Sequence, residues 1–400
     1  MNPALSQLKP YPFERLAALK QEVTPPAELK PIMLSIGEPK HPTPAIISDA
    51  LITHLHHLAT YPSTRGLPEL RAAIATWLGW RFQLDRDGID PETQILPVSG
   101  TREALFAIAQ ALIDPADRPL VMMPNPFYQI YEGAALLAGA QPFYLPCTAS
   151  KGFLPDFDLI DEATWRRCQL LYLCSPGNPT GAVMDQASLQ RLIALAEQHD
   201  FIIAADECYS ELYPDEQRPP VGLLQAAAAM GLEDYRRCLV FHSLSKRSNA
   251  PGLRSGFVAG DARLIARFFA YRTYHGCAMP LQHQHASLAA WQDESHVREN
   301  RARYREKFKA VLEILDGVLD CHQPEGGFYL WARTPEADET SFVRELFARE
   351  HLTLLPGRFL SRPAIDGQDP GRGYVRIALV PELADCVEAA LRIRRFFASR

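Results

Sequence analysis

The chain has 400 residues, enough for two or three domains, and its 47% hydrophobic and 22% charged residues are typical of a globular protein. This composition excludes a disordered, collagen-like or coiled-coil chain. Its 41 basic and 47 acidic residues give a formal net charge of −6. Nucleic acid or an anionic membrane requires a basic face, so neither is an expected partner.

Residues 1–45 are rich in proline and weakly periodic, which predicts an N-terminal arm that contributes to a small domain. They hold no basic segment followed by an apolar run, as a signal peptide would, and nowhere do about 18 apolar residues follow one another. The eight cysteines are scattered without a C-x-x-C pair, which indicates reduced thiols. We therefore expect a cytoplasmic protein.

From residue 46 onward, short apolar runs of strand length alternate with segments of helical periodicity. The helical segments include Thr101–Leu112 and Gln186–His199. This alternation predicts a large α/β domain over residues 46–284, with a mostly parallel sheet covered by helices on both faces. The expected strands are Gln94–Val98, Leu120–Met123, Leu170–Cys174, Phe201–Ala205, Leu239–His242 and Gly256–Gly260.

The rhythm changes after about residue 285. A long charged segment, His296–Leu319, predicts a surface helix, and a final helix is expected over residues 381–399. Three short strands are expected between them, so residues 285–400 are predicted to form a smaller α+β domain. These strands are Gly327–Trp331, Leu352–Leu355 and Tyr374–Leu379.

Two turns that follow predicted strands have residues suited to ligand binding. Ser99–Arg102 opens a helix, where free backbone N–H groups and the helix dipole suit a phosphate, although Thr101 is equally suited to simple helix capping. Asn178 lies between a glycine and a proline in a rigid turn, where its amide either faces a cleft or belongs to an ordinary loop.

Two further strand ends carry charged residues. Asp206 directly follows a buried apolar run, and a carboxylate there requires a cation or a hydrogen-bond donor. Ser243, Ser245, Lys246 and Arg254 combine hydroxyls and cations near the end of another strand. Hydroxyls and an arginine suit phosphate oxygens, and a desolvated lysine suits a Schiff base, although a solvated basic turn has the same composition.

Together these groups match the demands of pyridoxal 5′-phosphate (PLP), which has a phosphate, an aldehyde and a basic ring nitrogen. Their order along the chain, from Ser35 to Ile377, resembles the class I/II, fold-type I PLP-dependent aminotransferases. The resemblance implies a mostly parallel seven-stranded sheet sandwiched by helices, a smaller α+β domain, and transamination between amino acids and 2-oxo acids.

The resemblance also implies a role for individual residues in holding PLP. Lys246 bonds covalently to the aldehyde, and Asp206 pairs with the ring nitrogen. Asn178 and Tyr209 bind the 3′ oxygen. The phosphate is held by Gly100, Thr101, Arg102, Ser243, Ser245 and Arg254.

Further implied roles concern stacking, the substrate and the dimer. Tyr128 stacks on the cofactor ring, with Phe127 as a competitor for this role, and Gly37 lies at the substrate mouth. Arg376 binds the substrate α-carboxylate. Tyr61 reaches the phosphate of a partner subunit, so a homodimer with shared active sites is expected. No metal is expected.

Within the family, the run SLSKRSNAPGLRSGFVAG is most similar to N-succinyldiaminopimelate aminotransferases. This similarity implies glutamate as amino donor and N-succinyl-2-amino-6-oxopimelate as acceptor, in lysine and diaminopimelate biosynthesis. Such a substrate has several carboxylates, so cationic groups beyond Arg376 are expected. The candidates are Arg65, Arg247, Arg272 and Arg358.

Three alternatives are left open. One is another class I/II aminotransferase, specific for aspartate, aromatic amino acids or LL-diaminopimelate. Another is a PLP-dependent C–S lyase. The third is a PLP-sensing regulator, which needs an added DNA-binding domain, and the first 45 residues are too few for one.

Overall fold

A computed structural model describes residues 2–84, 88–335, 338–364 and 367–399. Its α-helices are α1 Pro12–Lys20, α2 Ala45–Thr53, α3 Pro68–Arg81, α4 Thr101–Leu112, α5 Ile130–Leu137, α6 Glu162–Trp165, α7 Gln186–His199, α8 Leu223–Ala228, α9 Leu244–Arg247, α10 Ala262–His275, α11 Leu281–Trp291, α12 Ser295–Leu315, α13 Glu339–Glu350 and α14 Leu383–Ala398. Short 3-10 helices cover Pro3–Gln7, Leu55–Ala59, Pro115–Asp117, Ala149–Lys151, Phe157–Leu159, Pro251–Leu253 and Gly357–Phe359.

The strands are β1 Ile32–Met33, β2 Ile95–Val98, β3 Leu120–Asn125, β4 Gln141–Pro146, β5 Cys168–Cys174, β6 Ile202–Asp206, β7 Cys238–Ser243, β8 Gly256–Gly260, β9 Tyr329–Arg333, β10 Leu352–Thr353, β11 Leu355–Pro356 and β12 Tyr374–Ala378. Within the described residues, seven of them form one sheet in the order β2-β8-β7-β6-β5-β3-β4. Strand β8 is antiparallel to both neighbours, and the other pairs are parallel.

This sheet confirms the predicted fold class. All residues of β3 and β7 are buried, as expected where helices cover both faces of a sheet. Strand β4 is not among the strands that the sequence predicts. It lies at the edge of the sheet, is mostly only half-buried, and contains two prolines, which an edge strand tolerates. Its sequence therefore does not read as a buried strand.

The second core combines the end of the chain with its beginning. Strands β11-β12-β9 form an antiparallel sheet, while β1 pairs in parallel with β10. The predicted strand Leu352–Leu355 is therefore two short strands in two sheets. Leu16 and Ile32 pack in the same core as Leu352 and Ile377, so the N-terminal segment shares the smaller core.

The border between the two predicted domains stays a prediction. Ala286, Ala290 and Trp291 of α11 pack in the core beside the large sheet, although they follow residue 284. The eight cysteines are free thiols, as the sequence predicts. None of the helices in the described part of the chain is both long enough and apolar enough to cross a membrane.

Candidate active site

A cavity of about 580 Å³ lies where several strands of the large sheet end and the small domain begins. Open α/β sheets bind ligands at the carboxyl ends of their strands, since the loops there converge. Twelve of the predicted site residues line this cavity: Gly37, Thr101, Arg102, Tyr128, Asn178, Asp206, Tyr209, Ser243, Ser245, Lys246, Arg254 and Arg376.

Lys246 stands on α9, immediately after β7. Its Nζ donates a hydrogen bond to the carbonyl oxygen of Gly37 and lies 5.5 Å from the centroid of the Phe328 ring. Burial lowers the pKa of Lys246 to about 8, and the positive charges of Arg376 and Arg102 act in the same direction. About a tenth of this amine is therefore neutral, and so nucleophilic, at pH 7, far more than for an exposed lysine.

Asp206 ends β6 and is only 5% exposed. Its Oδ2 accepts a hydrogen bond from the hydroxyl of Tyr131 at 2.7 Å, and its Oδ1 accepts one from the backbone N–H of Cys208 at 3.2 Å. Burial raises the pKa of this carboxyl group. In the described parts of the chain, no lysine, arginine or histidine forms an ion pair with Asp206. The site therefore offers a buried carboxylate to a cationic group.

Gly100 precedes α4 with φ 87° and ψ 151°, a region almost reserved for glycine. A Cβ atom there would collide with the guanidinium of Arg254. Arg254 donates from Nη1 to the carbonyl of Pro251 at 2.9 Å, and none of the described carboxylates pairs with it. The first turn of α4 and an uncompensated guanidinium therefore face the same space, which suits an anion.

The two serines lie beside this arginine. Ser243 caps α9, because its Oγ accepts a hydrogen bond from the backbone N–H of Ser245 at 3.1 Å. The Ser243 hydroxyl also donates to Oγ of Ser245 at 2.9 Å. Both hydroxyls line the cavity and add donors to the anion-binding surface.

Tyr128 and Phe127 have different environments. Phe127 is 1% exposed and stacks on Tyr144 with ring centroids 5.5 Å apart, inside the core. Tyr128 lines the cavity, and its hydroxyl accepts a hydrogen bond from Nε of Arg102 at 2.7 Å. Of the two rings, only that of Tyr128 borders the cavity.

Arg376 projects from β12 of the small domain. Its Nη1 donates to Oδ1 of Asn178 at 2.8 Å, and its Nη2 donates to the carbonyl of Ser35 at 2.6 Å. Its guanidinium lies 4.3 Å from the centroid of the Tyr329 ring, and its buried Nε has no hydrogen-bond partner among the residues that the structure describes. The hydroxyl groups of Tyr329 and Tyr209 are 3.0 Å apart. A fixed, buried guanidinium of this kind suits a carboxylate.

Sequence reasoning missed several residues of the site. Tyr131 lies in the first turn of α5, and its hydroxyl donates to Asp206, a residue 75 positions away, so no local pattern in the sequence marks it. Tyr329 lies in a segment that reads as core, because its role depends on a contact with a residue 120 positions away. Tyr11 and Glu38 also line the cavity.

Some predicted residues lie elsewhere. Tyr61 is 99% exposed on the surface and does not line the cavity. Neither do the four arginines considered for extra carboxylates. Arg247, Arg272 and Arg358 form ion pairs with glutamates, and Arg65 lies over the ring of Phe269. The cation found in the cavity besides Lys246, Arg254 and Arg376 is Arg102.

One group of possible metal ligands occurs among the described residues. Ligand atoms of Glu103, His275 and Cys277 lie within 4.8 Å of one another. However, Arg272 donates to both carboxylate oxygens of Glu103, at 2.6 and 2.8 Å. This positive charge opposes a metal cation, so the group supports no metal site.

The sequence matches the family described as aminotransferase class I and II over residues 30–393. The chain belongs to this family. It is 32% identical over 395 residues to an LL-diaminopimelate aminotransferase of Nitratidesulfovibrio vulgaris (strain DSM 19637 / Miyazaki F), with 97% of each chain covered. The predictions of a PLP-dependent aminotransferase and of PLP as its cofactor are thereby confirmed.

Solved structures agree with this assignment. An aminotransferase from Neisseria meningitidis Z2491 is 50% identical, with a TM-score of 0.95 over 99% of this chain and 100% of that chain. A probable N-succinyldiaminopimelate aminotransferase from Thermus thermophilus is 29% identical, with a TM-score of 0.84 over 96% of this chain and 99% of that chain. The narrower prediction, N-succinyldiaminopimelate aminotransferase, is not confirmed.

The cavity fits the cofactor of the family. Asp206 offers a buried negative charge without a cation, which suits a protonated ring nitrogen. Arg254, which pairs with no carboxylate of the described residues, suits a phosphate, and Lys246 offers an amine with a lowered pKa. The residues present therefore match the three reactive groups of PLP in charge and type.

Proposed function

We propose that this aminotransferase acts on LL-diaminopimelate and its 2-oxo acid, with glutamate and 2-oxoglutarate as the second pair. Relatives named LL-diaminopimelate aminotransferase, from Nitratidesulfovibrio vulgaris and Aquifex aeolicus among others, match almost the whole chain. The sequence alone favours the N-succinyl substrate and leaves LL-diaminopimelate open as an alternative. The comparisons support this alternative better.

The charge pattern of the cavity wall supports this substrate. LL-diaminopimelate has an ammonium and a carboxylate at the end away from the reacting carbon. Glu38 lines the cavity near Lys246, and Arg102 lines it on the side of Tyr128. Glu38 forms an ion pair with Lys40, but both side chains are more than half exposed, so this pair is weak and easily exchanged. The acid and the base suit the two distal charges.

The phosphate does not need the Arg102 side chain. The backbone N–H groups of Thr101 and Arg102 begin α4, and Arg254 with Ser243 and Ser245 supplies further donors. We therefore propose that Arg102 serves the phosphate through its backbone and the distal carboxylate through its guanidinium.

The reacting end of the substrate is held by other residues. PLP, when bound, withdraws electrons from the substrate Cα and stores the amino group between half-reactions. With PLP bound, Asp206 would keep the ring nitrogen protonated, and Asn178 and Tyr209 would donate hydrogen bonds to the 3′ oxygen. Arg376 binds the α-carboxylate as a planar fork and so fixes the direction of the Cα–H bond. Lys246, with a pKa of about 8, takes up and returns the Cα proton.

A second candidate substrate is N-succinyl-2-amino-6-oxopimelate. It is supported by the likeness to the Thermus thermophilus structure and by the run SLSKRSNAPGLRSGFVAG. In this compound an amide and a succinyl carboxylate replace the distal ammonium, so Glu38 would face no cation. Glu38 is therefore expected to contribute to binding of LL-diaminopimelate but not of the N-succinyl compound.

Rates with LL-diaminopimelate and with its N-succinyl derivative, each with 2-oxoglutarate, distinguish the candidates. The proposal predicts a higher kcat/KM for LL-diaminopimelate, and a loss of about tenfold in Glu38→Gln because a charged hydrogen bond is removed. The same variant should use glutamate nearly as the wild type does. A higher kcat/KM for the N-succinyl compound would make it the better-supported substrate. A higher kcat/KM for simple amino acids would contradict both candidates.

We also propose a homodimer. Tyr61 is 99% exposed, and Leu58 and Tyr274 are exposed to 73% and 94%. The proposal rests on the family resemblance, and these exposed side chains are available for burial against a second subunit. If a partner subunit covers these side chains, Tyr61 would lie near the cofactor phosphate bound by that partner, as the family resemblance implies.

A further inference from the structure

Asn300 of α12 lies against the segment that carries Lys246. Asn300 is 2% exposed, and its Nδ2 donates hydrogen bonds to the carbonyl oxygens of Lys246 and Arg247, at 3.2 and 3.4 Å. These carbonyls belong to the last turn of α9, whose C-terminal carbonyls have no partner within the helix. One amide group therefore binds the backbone at and beside Lys246.

The other end of the same amide holds two more groups. Its Oδ1 accepts hydrogen bonds from Nδ2 of Asn249 at 3.0 Å and from Nδ1 of His41 at 2.9 Å. The orientation of the amide is determined, because its NH₂ group faces carbonyls, which only accept. His41 must then carry a proton on Nδ1. Its ring is buried and lies 4.7 Å from that of Tyr304, which holds it in place.

His41 belongs to residues 37–43, which we call the mouth segment because its first two residues, Gly37 and Glu38, line the cavity. His41 contacts Asn300, and a second contact joins Gly37, whose carbonyl accepts a hydrogen bond from Nζ of Lys246. The hydroxyl of Thr43 donates to the carbonyl of Asn249 at 2.7 Å. The mouth segment is thus joined to residues 246–249 at both ends, and through Asn300 in the middle.

We propose that Asn300 and His41 are positioning residues for Lys246. Neither residue is among those that line the cavity. They fix the backbone of Lys246 relative to the mouth segment, and so determine where the amine points. The lysine side chain is long and flexible, and a displacement of about 1 Å in such a group costs up to about a hundredfold in rate. The inference rests on PLP-dependent transamination and not on the choice of substrate.

Substitutions at His41 test this network with a matched control. In His41→Asn, an amide N–H takes the place of the ring Nδ1–H, so the donor to Asn300 is kept. In His41→Leu, a side chain of similar size has no donor. Asn300→Leu removes every contact of the amide at once. The probe is PLP itself, added to each variant, and thermal unfolding is measured to identify variants that merely fold poorly.

Three readouts are compared: the pH titration of the visible PLP band, the dissociation constant for PLP, and kcat and KM for L-glutamate. We expect His41→Leu to raise the pKa of the band, because a displaced amine is less buried, and to lower kcat about tenfold with little change in KM. His41→Asn should restore both. Both effects, on the pKa of the band and on kcat, should be larger in Asn300→Leu than in His41→Leu.

Two outcomes overturn the proposal. In one, His41→Leu retains the band pKa and the kcat of the wild type. In the other, His41→Asn and His41→Leu lose activity equally, in proportion to their lowered unfolding temperatures. Failure of the proposed substrate would look different, since LL-diaminopimelate would then be a poor substrate of the wild type while the effects on the PLP band remained.

Discussion

Arg376 in the small domain donates a hydrogen bond from Nη1 to Oδ1 of Asn178, which follows a strand of the large sheet, at 2.8 Å. The predicted anchor for the substrate carboxylate is thus oriented by a residue predicted to bind the cofactor. This contact links the position of the substrate to the position of the ring.

Arg376→Lys should raise KM for amino-acid substrates at least about tenfold and lower kcat as well. Lysine keeps the charge but loses the planar fork that holds a carboxylate in one orientation. Steady-state kinetics with L-glutamate measures both effects. Arg392→Lys, which changes another buried arginine outside the cavity, is the control and should leave KM unchanged. An unchanged KM in Arg376→Lys would refute the role.

Asp206→Asn should lower the rate of the glutamate half-reaction by about a hundredfold or more, because a charge that stabilises the transition state is removed. Stopped-flow absorbance of the PLP band gives this rate. Tyr131→Phe removes only a hydrogen bond to the same carboxylate and should have a smaller effect. A half-reaction in Asp206→Asn as fast as in the wild type would contradict the pairing with the ring nitrogen.

Gly100→Ala should weaken PLP binding, because its Cβ would displace the Arg254 guanidinium from the predicted phosphate site. Gly152→Ala is the control for a glycine that is not among the cavity-lining residues. It also has a positive φ, of 61°, but nothing lies within 4 Å of its added Cβ. Equilibrium titration with PLP measures the affinity. A PLP affinity in Gly100→Ala equal to that of Gly152→Ala and the wild type would contradict the predicted phosphate site.

Tyr61 is expected to act on the partner's active site, and hybrid dimers test this. A dimer of one Lys246→Ala subunit and one Tyr61→Ala subunit contains one complete site if Tyr61 acts across the interface. It contains none if Tyr61 acts within its own subunit. The first arrangement predicts one wild-type PLP affinity per hybrid dimer. Sedimentation should show a dimer, and an active monomer would contradict the proposal.

The sequence predicts the site best where residues follow buried strands. Asp206 stands out because it ends the apolar run of β6, and Lys246 because it follows the end of β7 by three residues. The ends of parallel strands converge at one edge of a sheet. Strand β4 is not predicted because it is a half-buried edge strand without a continuous apolar run. Tyr329 and Asn300 are not predicted because their hydrogen-bond partners, Tyr209 and Lys246, are distant in sequence and are brought near only by the tertiary structure.

Lys246 determines the pH dependence of cofactor attachment. Only the neutral amine reacts with an aldehyde, and the amine is neutral above its pKa. With a pKa of about 8, attachment of PLP to the cofactor-free protein should accelerate as pH rises through 8 and then level off. An exposed lysine would level off only above about 10. Stopped-flow absorbance at a series of pH values gives the profile.

The most direct test of the central claim is the site at which PLP becomes attached. Borohydride treatment of the PLP-loaded protein, followed by peptide mass spectrometry, identifies the modified lysine. We expect one modified peptide, that which contains Lys246, and no such modification or turnover in a folded Lys246→Ala variant. Attachment at another lysine, or turnover in Lys246→Ala close to that of the wild type, would contradict the claim.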